Sequence, residues 1–512
     1  MFLTRQAVIL YNFGIRRDEK KMQTNQKSYL KSPDLLPVHH QKRNINVVGF
    51  CAMWVGMAIL LATFDIGASG IQNIPLPLVI LATLIGSIAI GGFISIIGDI
   101  GVEHGISFPV YMRAPFGTLG THIPSITRAL AASFWFGINT YFGATAINAI
   151  LHTFFPSFDY LLGCYIVFAV FQLINTASGI KWVERFADLA APIIVVLSLI
   201  IYMTLSEEAK LGGSDVWTWV GSPVTGGAAF TAFMIVVFAN MGFWATLGTD
   251  IPTISRFFKA PKFERNWFKR NKTTFIGSVI ALPLTEAFMI MIGAAAFVVS
   301  GTSNPVIALQ DASSGWMLAM LLLMVVLTQW STNTAANIIP ASAVFSNVLG
   351  PKVSNMVAVF IVGIVGTVIQ PWSVYEVLTQ VLLFIGAVLA SITGILFADY
   401  YLLRRRRVNV QDLYRSDGQY RFAGGINVAG FIAWAIGGVA AIFLMEYSFI
   451  VGFLIAGASY YILAKYWYFR KYQQKEIEDP SDDKYLGITV GRDWVIESVE
   501  EEGSNHLLKE EA

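Results

Sequence analysis

The polar run WSTNTAAN at residues 330–337 lies in the middle of a long apolar segment. Thr328, Ser331 and Thr332 stand at positions i, i+3 and i+4, so they share one face if the segment is a helix. Hydroxyl and carbonyl oxygens can replace the water around a small hard cation without a carboxylate. Alternatively, these hydroxyls bond back to carbonyls of their own helix and bind no ion. Asn337 lies nearly two turns further along, which predicts contact with a separate ligand.

Trp135 and Asn139 are a second pair of residues that could bind a ligand. They are four positions apart on one predicted helical face. The indole offers a flat stacking surface, and the amide offers both a donor and an acceptor. This combination suits a planar heterocycle with alternating N–H and C=O groups. The alternative is ordinary packing of the indole and an amide bond between helices. Asn240 also interrupts an apolar segment and is a further candidate.

Two carboxyl groups, those of Asp65 and Glu286, are the acidic groups deepest in apolar segments. Ionisable side chains at membrane depth are rare and commonly carry ions or protons. We therefore regard both residues as candidates for proton coupling. For Asp65 the alternative is a solvated position in a vestibule.

Membrane helices must position all of these residues, because the composition is that of a membrane protein. Of the 512 residues, 55% are hydrophobic and only 13% are charged, against about 25% charged in soluble domains. Apolar stretches of about 20 residues, enough to cross a bilayer core of about 30 Å, recur along the chain. We predict an all-α polytopic membrane protein with about twelve transmembrane helices. The predicted spans are 45–71, 76–98, 123–152, 159–178, 187–206, 229–249, 273–300, 314–342, 355–372, 376–401, 428–445 and 449–468.

The remaining composition argues against other classes of protein. Cys51 and Cys164 both lie in apolar segments and predict no disulfide framework, and the six histidines show no metal-binding spacing. No catalytic domain fits between the spans, and nothing indicates a nucleic-acid partner or a cofactor. The lipid bilayer is the predicted environment. Met22 is a candidate native start, which would make residues 1–21 a spurious extension.

Lys and Arg residues predict the orientation of the chain. Seven of them lie in residues 256–272 and four at 404–407, whereas the alternate loops carry almost nothing basic beyond Lys210. Because basic loops stay on the cytoplasmic side, we predict a plasma (inner) membrane protein with cytoplasmic tails at residues 1–44 and 469–512. Residues 402–427 form a basic cytoplasmic loop in this prediction.

Four strings together resemble the nucleobase–cation symporter-1 family, with the nearest likeness to its bacterial hydantoin and allantoin transporters. They are WSTNTAAN, RALAASFWFGINTYFGATAIN, RAPFGTLGTHIP and ADYYLLRRRRVNVQDLYRSDGQY. The resemblance extends from LLPV at 35–38 to about residue 430. It implies a leucine-transporter-like inverted repeat of five plus five spans (45–206 and 229–401) followed by two helices (428–468). It also implies a secondary active transporter, not an enzyme, that imports a planar N-heterocycle with a cation by alternating access.

The resemblance also implies site residues. The family's stacking tryptophan falls on Trp135, its amide partner, usually Gln, on Asn139, and its span-8 asparagine on Asn337. The sodium ligands of the hydantoin member fall on the carbonyls of Gly56, Ile59 and Thr328 and on the hydroxyls of Ser331 and Thr332. Each of these five positions can supply the required oxygen, so Na+ is the expected coupling ion.

Several positions depart from the family pattern. The hydantoin member's span-1 Gln falls on Leu60, which cannot form a hydrogen bond, and its span-6 Gly–Trp falls on Ala239–Asn240. Phe243 or Trp244 restores the second aromatic wall if the break in span 6 is placed differently. Breaks are expected at Gly56 in span 1 and near Asn240–Gly242 in span 6. The ring carried is left open among allantoin, hydantoins, uracil, cytosine and purines.

The sequence leaves three alternatives to sodium-coupled transport open. Some family members are driven by protons, which would give the coupling role to Asp65 or Glu286. A passive channel would need a continuous polar stripe, and a membrane-embedded enzyme would need paired catalytic groups. We expect the protein to function as a monomer, with Gly386 and Gly394 of span 10 either gate hinges or close-packing positions.

Overall fold

The computed structural model describes residues 30–59, 61–302, 304–350, 353–370, 372–373 and 378–496, in which helix predominates. Within these residues, seven helices are long and apolar enough to cross a membrane, and a bent helix pair forms an eighth span. Three shorter apolar helices and the long helix of span 3 complete the twelve. The protein is therefore an all-α polytopic membrane protein, as predicted.

The helices follow the predicted order of spans. Span 1 comprises Val47–Ala58 and Leu61–Gly70, and the others, in order, are Leu76–His104, His122–Phe154, Leu161–Ala177, Ile180–Leu211, Gly226–Asp250, Lys272–Ser300, Gly315–Leu349, Asn355–Ile369, Leu378–Phe397, Val428–Phe443 and Ser448–Leu463. Short helices at Phe108–Tyr111, Arg113–Phe116 and Pro305–Ala312 connect them.

Span 2 shows why these segments form membrane helices. Leu81, Ile85 and Ile88, spaced along one face, are 48%, 45% and 48% exposed, which suits contact with lipid. On the buried side Gly91 approaches the backbone of Ser278 so closely that a methyl group would collide with it. Small residues at helix contacts allow this close approach, which stabilises helix packing in lipid.

Both described ends of the chain lie on one face of the bundle, which we call the terminal face. Ile45 forms an isolated bridge with Phe258, and the backbone N–H of His40 donates to Asp493 over 2.7 Å. On the opposite face, which we call the far face, the backbone N–H of Val224 donates to the carbonyl of Asn73 over 3.2 Å. On each face, therefore, connecting segments that are distant in the sequence bond to one another.

The spans pack as two groups with an interface between them. Spans 1, 2, 6 and 7 form the first group, and spans 3, 4, 8 and 9 form the second. Close glycine contacts occur within each group: Gly67 of span 1 meets the Ile290 carbonyl of span 7, and Gly366 of span 9 meets the Ser133 carbonyl of span 3. Spans 3 and 6 contact each other across the interface over a short stretch only.

The breaks in spans 1 and 6 differ from the sequence expectation. Span 1 is bent by 59°, but the helix ends at Ala58 and resumes at Leu61, beyond Gly56. Span 6 is one unbroken helix, so the expected break near Asn240–Gly242 is wrong. Gly242 instead allows close packing, because a methyl group on Gly386 of span 10 would lie 3.1 Å from the Gly242 Cα atom.

Candidate substrate and cation site

The polar run of span 8 contains a π-helical turn. Residues Asn333–Ile338 form this turn between Gly315–Thr332 and Ile339–Leu349, and π turns often mark functional sites. The Asn333 Nδ2 atom lies 2.7 Å from Gln172 Oε1 of span 4 and 3.1 Å from Thr140 Oγ1 of span 3. The turn is therefore anchored within the second group of spans.

A small cavity lies beside this turn, where spans 3, 6 and 8 meet. Its volume is about 30 Å³, which admits a water molecule but not a heterocyclic ring. The walls come from all three spans: Trp135, Asn139, Phe243, Trp244, Thr246, Leu247, Thr332, Ala336 and Asn337. The walls must move apart before a heterocyclic ring can enter, so we call this space the closed cavity.

Two amide groups give the closed cavity a donor and an acceptor. Asn139 is 1% exposed, and its Nδ2 atom has no hydrogen-bond partner among the described residues. Asn337 donates from Nδ2 to Asn333 Oδ1 over 2.8 Å, which leaves its carbonyl oxygen as an acceptor. A ring with adjacent C=O and N–H groups matches this pair.

Aromatic rings form the other walls of the closed cavity. The rings of Trp135 and Phe243 are 5.0 Å apart at 71°, and those of Phe243 and Trp244 are 4.8 Å apart at 84°. Both contacts are edge-to-face, a favourable geometry for aromatic pairs. Phe243 thus supplies the second aromatic wall that is missing at Asn240.

Two other predicted substrate residues, Ala239 and Asn240, are not walls of the closed cavity. Asn240 donates from Nδ2 to Ser87 Oγ over 2.7 Å and to the Thr83 carbonyl over 3.0 Å, both on span 2. Ala239 lines a different cavity on the far face. Leu60 lies outside the described residues. The structure therefore brings Trp135, Asn139 and Asn337 together, but not Ala239 or Asn240.

The two candidate carboxyl groups have different surroundings. Asp65 is half-buried and lines the far-face cavity, which measures about 520 Å³. Glu286 is fully buried and accepts a 2.7 Å hydrogen bond at Oε2 from Ser87 Oγ. Its Oε1 atom has no hydrogen-bond partner in the described part of the chain. The side chains of Asn240 and Trp244 lie beside the carboxyl group, which places Glu286 behind one wall of the closed cavity.

The candidate cation site lies where span 8 meets the broken span 1. Thr332 Oγ1 donates to the Gly56 carbonyl over 3.0 Å and lies 3.2 Å from the Met57 carbonyl. The Ser331 hydroxyl packs directly on Gly56, where a methyl group would collide with it. Gly56, Ser331 and Thr332 are therefore adjacent.

The other two candidate ligands flank this contact. Ile59 is 2% exposed and follows the last helical residue of the first half of span 1. The Thr328 hydroxyl donates to the Val325 carbonyl over 2.8 Å and its oxygen accepts from Gln329 Nε2 over 3.2 Å, so the backbone carbonyl of Thr328 is the candidate ligand. All five oxygens are uncharged, which suits a monovalent cation better than a divalent one. The described residues contain no group of three or more His, Cys, Asp or Glu residues that could bind a metal ion.

The whole chain is similar to known transport proteins. The hydantoin permease of Microbacterium maritypicum is 27% identical over 89% of this chain and 93% of its own length. The allantoin permease of Bacillus subtilis (strain 168) is 27% identical over 87% of this chain and 95% of its own length. The closed conformation of MHP1, a nucleobase-cation-symport-1 family transporter with bromovinylhydantoin bound, superposes with a TM-score of 0.80 at 25% identity, and the match covers 89% of this chain and 100% of that one.

These likenesses define the class of protein. The fold is the leucine-transporter type, with a five-plus-five inverted repeat and two further helices, and the protein is a multi-pass membrane transporter rather than an enzyme. The model of the family described as permeases for cytosine/purines, uracil, thiamine and allantoin matches residues 37–468. The chain belongs to this family.

The residues that hold the site in place were not predicted from the sequence. They are Asn333, in the polar run of span 8, and its partners Thr140 on span 3 and Gln172 on span 4. A signal was available, because all three are polar side chains in apolar spans and each needs a partner there. Arg128 and Asp250, buried in spans 3 and 6, carried the same signal.

Proposed function

We propose that the protein imports a planar N-heterocycle together with Na+ by alternating access. The observation that carries this proposal is the double role of Thr332. Its side chain lines the closed cavity, and its hydroxyl reaches the Gly56 carbonyl of span 1. A cation held by that carbonyl and hydroxyl also fixes one wall of the cavity. Ion and substrate therefore favour each other's binding, by equal amounts in both directions.

The ring stacks on Trp135 in this proposal, and its polar edge meets the two amides. Asn139 Nδ2 donates to a ring carbonyl, and the Asn337 carbonyl accepts from a ring N–H. Hydantoins, allantoin, uracil, cytosine and purines all present such edges. The names of the two permeases above favour hydantoins and allantoin as the first compounds to test.

The proposed orientation places the terminal face in the cytoplasm of the cell and the protein in the plasma (inner) membrane. The basic segments 256–272 and 404–407 lie between spans that end on that face. The tails 1–44 and 469–512 and the 402–427 loop are cytoplasmic in this arrangement. Because one chain supplies every wall of the closed cavity, a monomer suffices for transport.

Uptake into proteoliposomes tests the proposal. Purified protein is supplied with each radiolabelled heterocycle under an inward Na+ gradient, with K+ replacing Na+ in the control. We expect at least one compound to accumulate only with Na+ and to show counterflow, in which unlabelled internal substrate speeds labelled entry. Entry of all compounds without counterflow would indicate a channel and overturn the proposal.

Proton coupling through Glu286 is a second candidate mechanism, because the surroundings of the Glu286 carboxyl group favour its neutral form. A protonated Glu286 donates to Ser87 Oγ, which in turn donates to the Thr83 carbonyl over 2.8 Å. No ion pair among the described residues includes Glu286, and an unpaired charge buried there would be costly. Uptake driven by a pH gradient in the absence of Na+ would favour this candidate over sodium.

A further inference from the structure

A buried ion pair joins the two groups of spans. The Nε atom of Arg128 on span 3 lies 3.5 Å from Oδ2 of Asp250 on span 6, and both side chains are fully buried. The same guanidinium donates from Nη2 to the Ala336 carbonyl over 3.3 Å. Ala336 belongs to the π turn of span 8, so the pair ties span 6 to both span 3 and span 8.

The ion pair lies between two cavities. On span 6, Thr246 and Leu247 line the closed cavity, and Thr253, just beyond the span, lines a second cavity on the terminal face. Asp250 stands between these positions. The second cavity measures about 650 Å³ and also receives residues of both terminal segments, among them Asp34 and Trp494. The pair therefore forms part of the wall that separates the two cavities.

Span 8 shows the same order of contacts. Ala336 and Asn337 line the closed cavity, and Ile339 and Ser342, on the following turn, line the terminal-face cavity. The Arg128 guanidinium donates to the Ala336 carbonyl at the end of the closed cavity. Spans 3, 6 and 8 are thus joined by this guanidinium at the boundary between the two cavities.

The bonding of the pair is incomplete, which suits a contact that opens. Among the described residues, Nε and Nη1 of Arg128 and Oδ2 of Asp250 have no partner with hydrogen-bond geometry. The other Asp250 oxygen accepts a bond from the Thr253 hydroxyl. Buried ion pairs add little net stability, because desolvation of the charges offsets their attraction. Water from the terminal-face cavity would solvate both charges when the pair separates, so opening costs little.

We propose that Arg128 and Asp250 form the inner gate of the transporter. When the gate is shut, the pair and the Ala336 carbonyl block passage from the closed cavity to the terminal face. When the gate opens, spans 3 and 6 separate at the level of the pair, and the substrate leaves between them. This inference rests on the proposed transport function, but its test needs neither a known substrate nor Na+.

A cysteine in the closed cavity reports the state of this gate. Thr246→Cys is suitable, because the Thr246 hydroxyl has no described partner to lose, and Cys51 and Cys164 are first replaced by alanine. A membrane-impermeant thiol reagent is added to inside-out or right-side-out vesicles, and the labelling rate is measured from each face. In Asp250→Asn and Arg128→Gln we expect labelling from the terminal face to rise about tenfold, which corresponds to about 1.4 kcal/mol in the gate equilibrium. Labelling from the far face should not rise.

A matched control removes a different buried ion pair. Asp399→Asn breaks the fully buried pair with Arg404, which lies outside the wall between the cavities, and should leave both labelling rates unchanged. Unchanged labelling in both gate variants, an equal rise from both faces, or the same rise in Asp399→Asn would overturn the proposal. If Asp250→Asn does not fold, Arg128→Gln alone carries the test, because it also removes one charge of the pair. The expected result is the same.

Discussion

Thr332→Val is the sharpest test of the cation site. Valine has nearly the shape of threonine but lacks the oxygen that lies 3.0 Å from the Gly56 carbonyl. The substitution removes one of five proposed ligands and leaves the wall of the closed cavity in place. We therefore expect weaker Na+ activation of uptake, with protein that still folds and still binds substrate at high Na+.

The size of the effect follows from the bond that is lost. A hydrogen-bonding group that interacts with a charge contributes about 1.5–3 kcal/mol, and each 1.4 kcal/mol corresponds to about a tenfold change in affinity. The Na+ concentration for half-maximal uptake should therefore rise by about 10- to 100-fold. Thr332→Ser keeps the hydroxyl and should change this concentration by less than about threefold by the same conversion.

Thr328→Val provides the matched control for this measurement. The Thr328 hydroxyl is already bonded to the Val325 carbonyl, and only the backbone carbonyl of Thr328 is a proposed ligand. Uptake is measured in proteoliposomes over a range of Na+ concentrations at constant ionic strength. An unchanged Na+ requirement in folded Thr332→Val, or an equal loss in Thr328→Val, would refute the assignment of the site.

Three further predictions concern the ring, the coupling ion and the packing. Trp135→Ala should abolish heterocycle uptake at unchanged expression, measured with the same radiolabelled compounds, and near-normal uptake would contradict the stacking role. Glu286→Gln should keep Na+-driven uptake but lose any uptake driven by a pH gradient alone, and retention of the pH-driven component would exclude Glu286 as the proton carrier. Gly394→Ala should lower stability by about 1–3 kcal/mol, since overpacking costs this much and the methyl group would meet the Phe453 carbonyl. In a thermal unfolding assay Gly438→Ala should be near neutral, because no atom lies within 4 Å of that position, and equal effects would argue against close packing at Gly394.

The fold was predictable from the sequence because lipid imposes a simple rule. A helix must be long and apolar enough to cross the bilayer, and this requirement is local. The breaks within spans were less predictable. Asn240 and Gly242 resemble a break, but Asn240 bonds to Ser87 of span 2 and Gly242 packs on Gly386 of span 10. Both partners are distant in the sequence, so local pattern alone could not identify them.

The candidate site was predictable to the extent that its residues form local patterns. Trp135 and Asn139 share a helical face, and both line the closed cavity. Contacts between spans could not be read in this way. Asn333 needs partners on spans 3 and 4, and the Arg128–Asp250 pair joins residues more than one hundred positions apart. Each requires the packing of helices to be known first.

The π turn of span 8 lies where one short polar run contacts several neighbours. The Thr332 hydroxyl reaches span 1, the Asn333 side chain reaches spans 3 and 4, and the Ala336 carbonyl reaches Arg128. These contacts therefore involve both groups of spans. A relative movement of the groups must change the contacts of span 8 at the cation site, the closed cavity and the Arg128–Asp250 pair together, which is the physical basis for coupling among them.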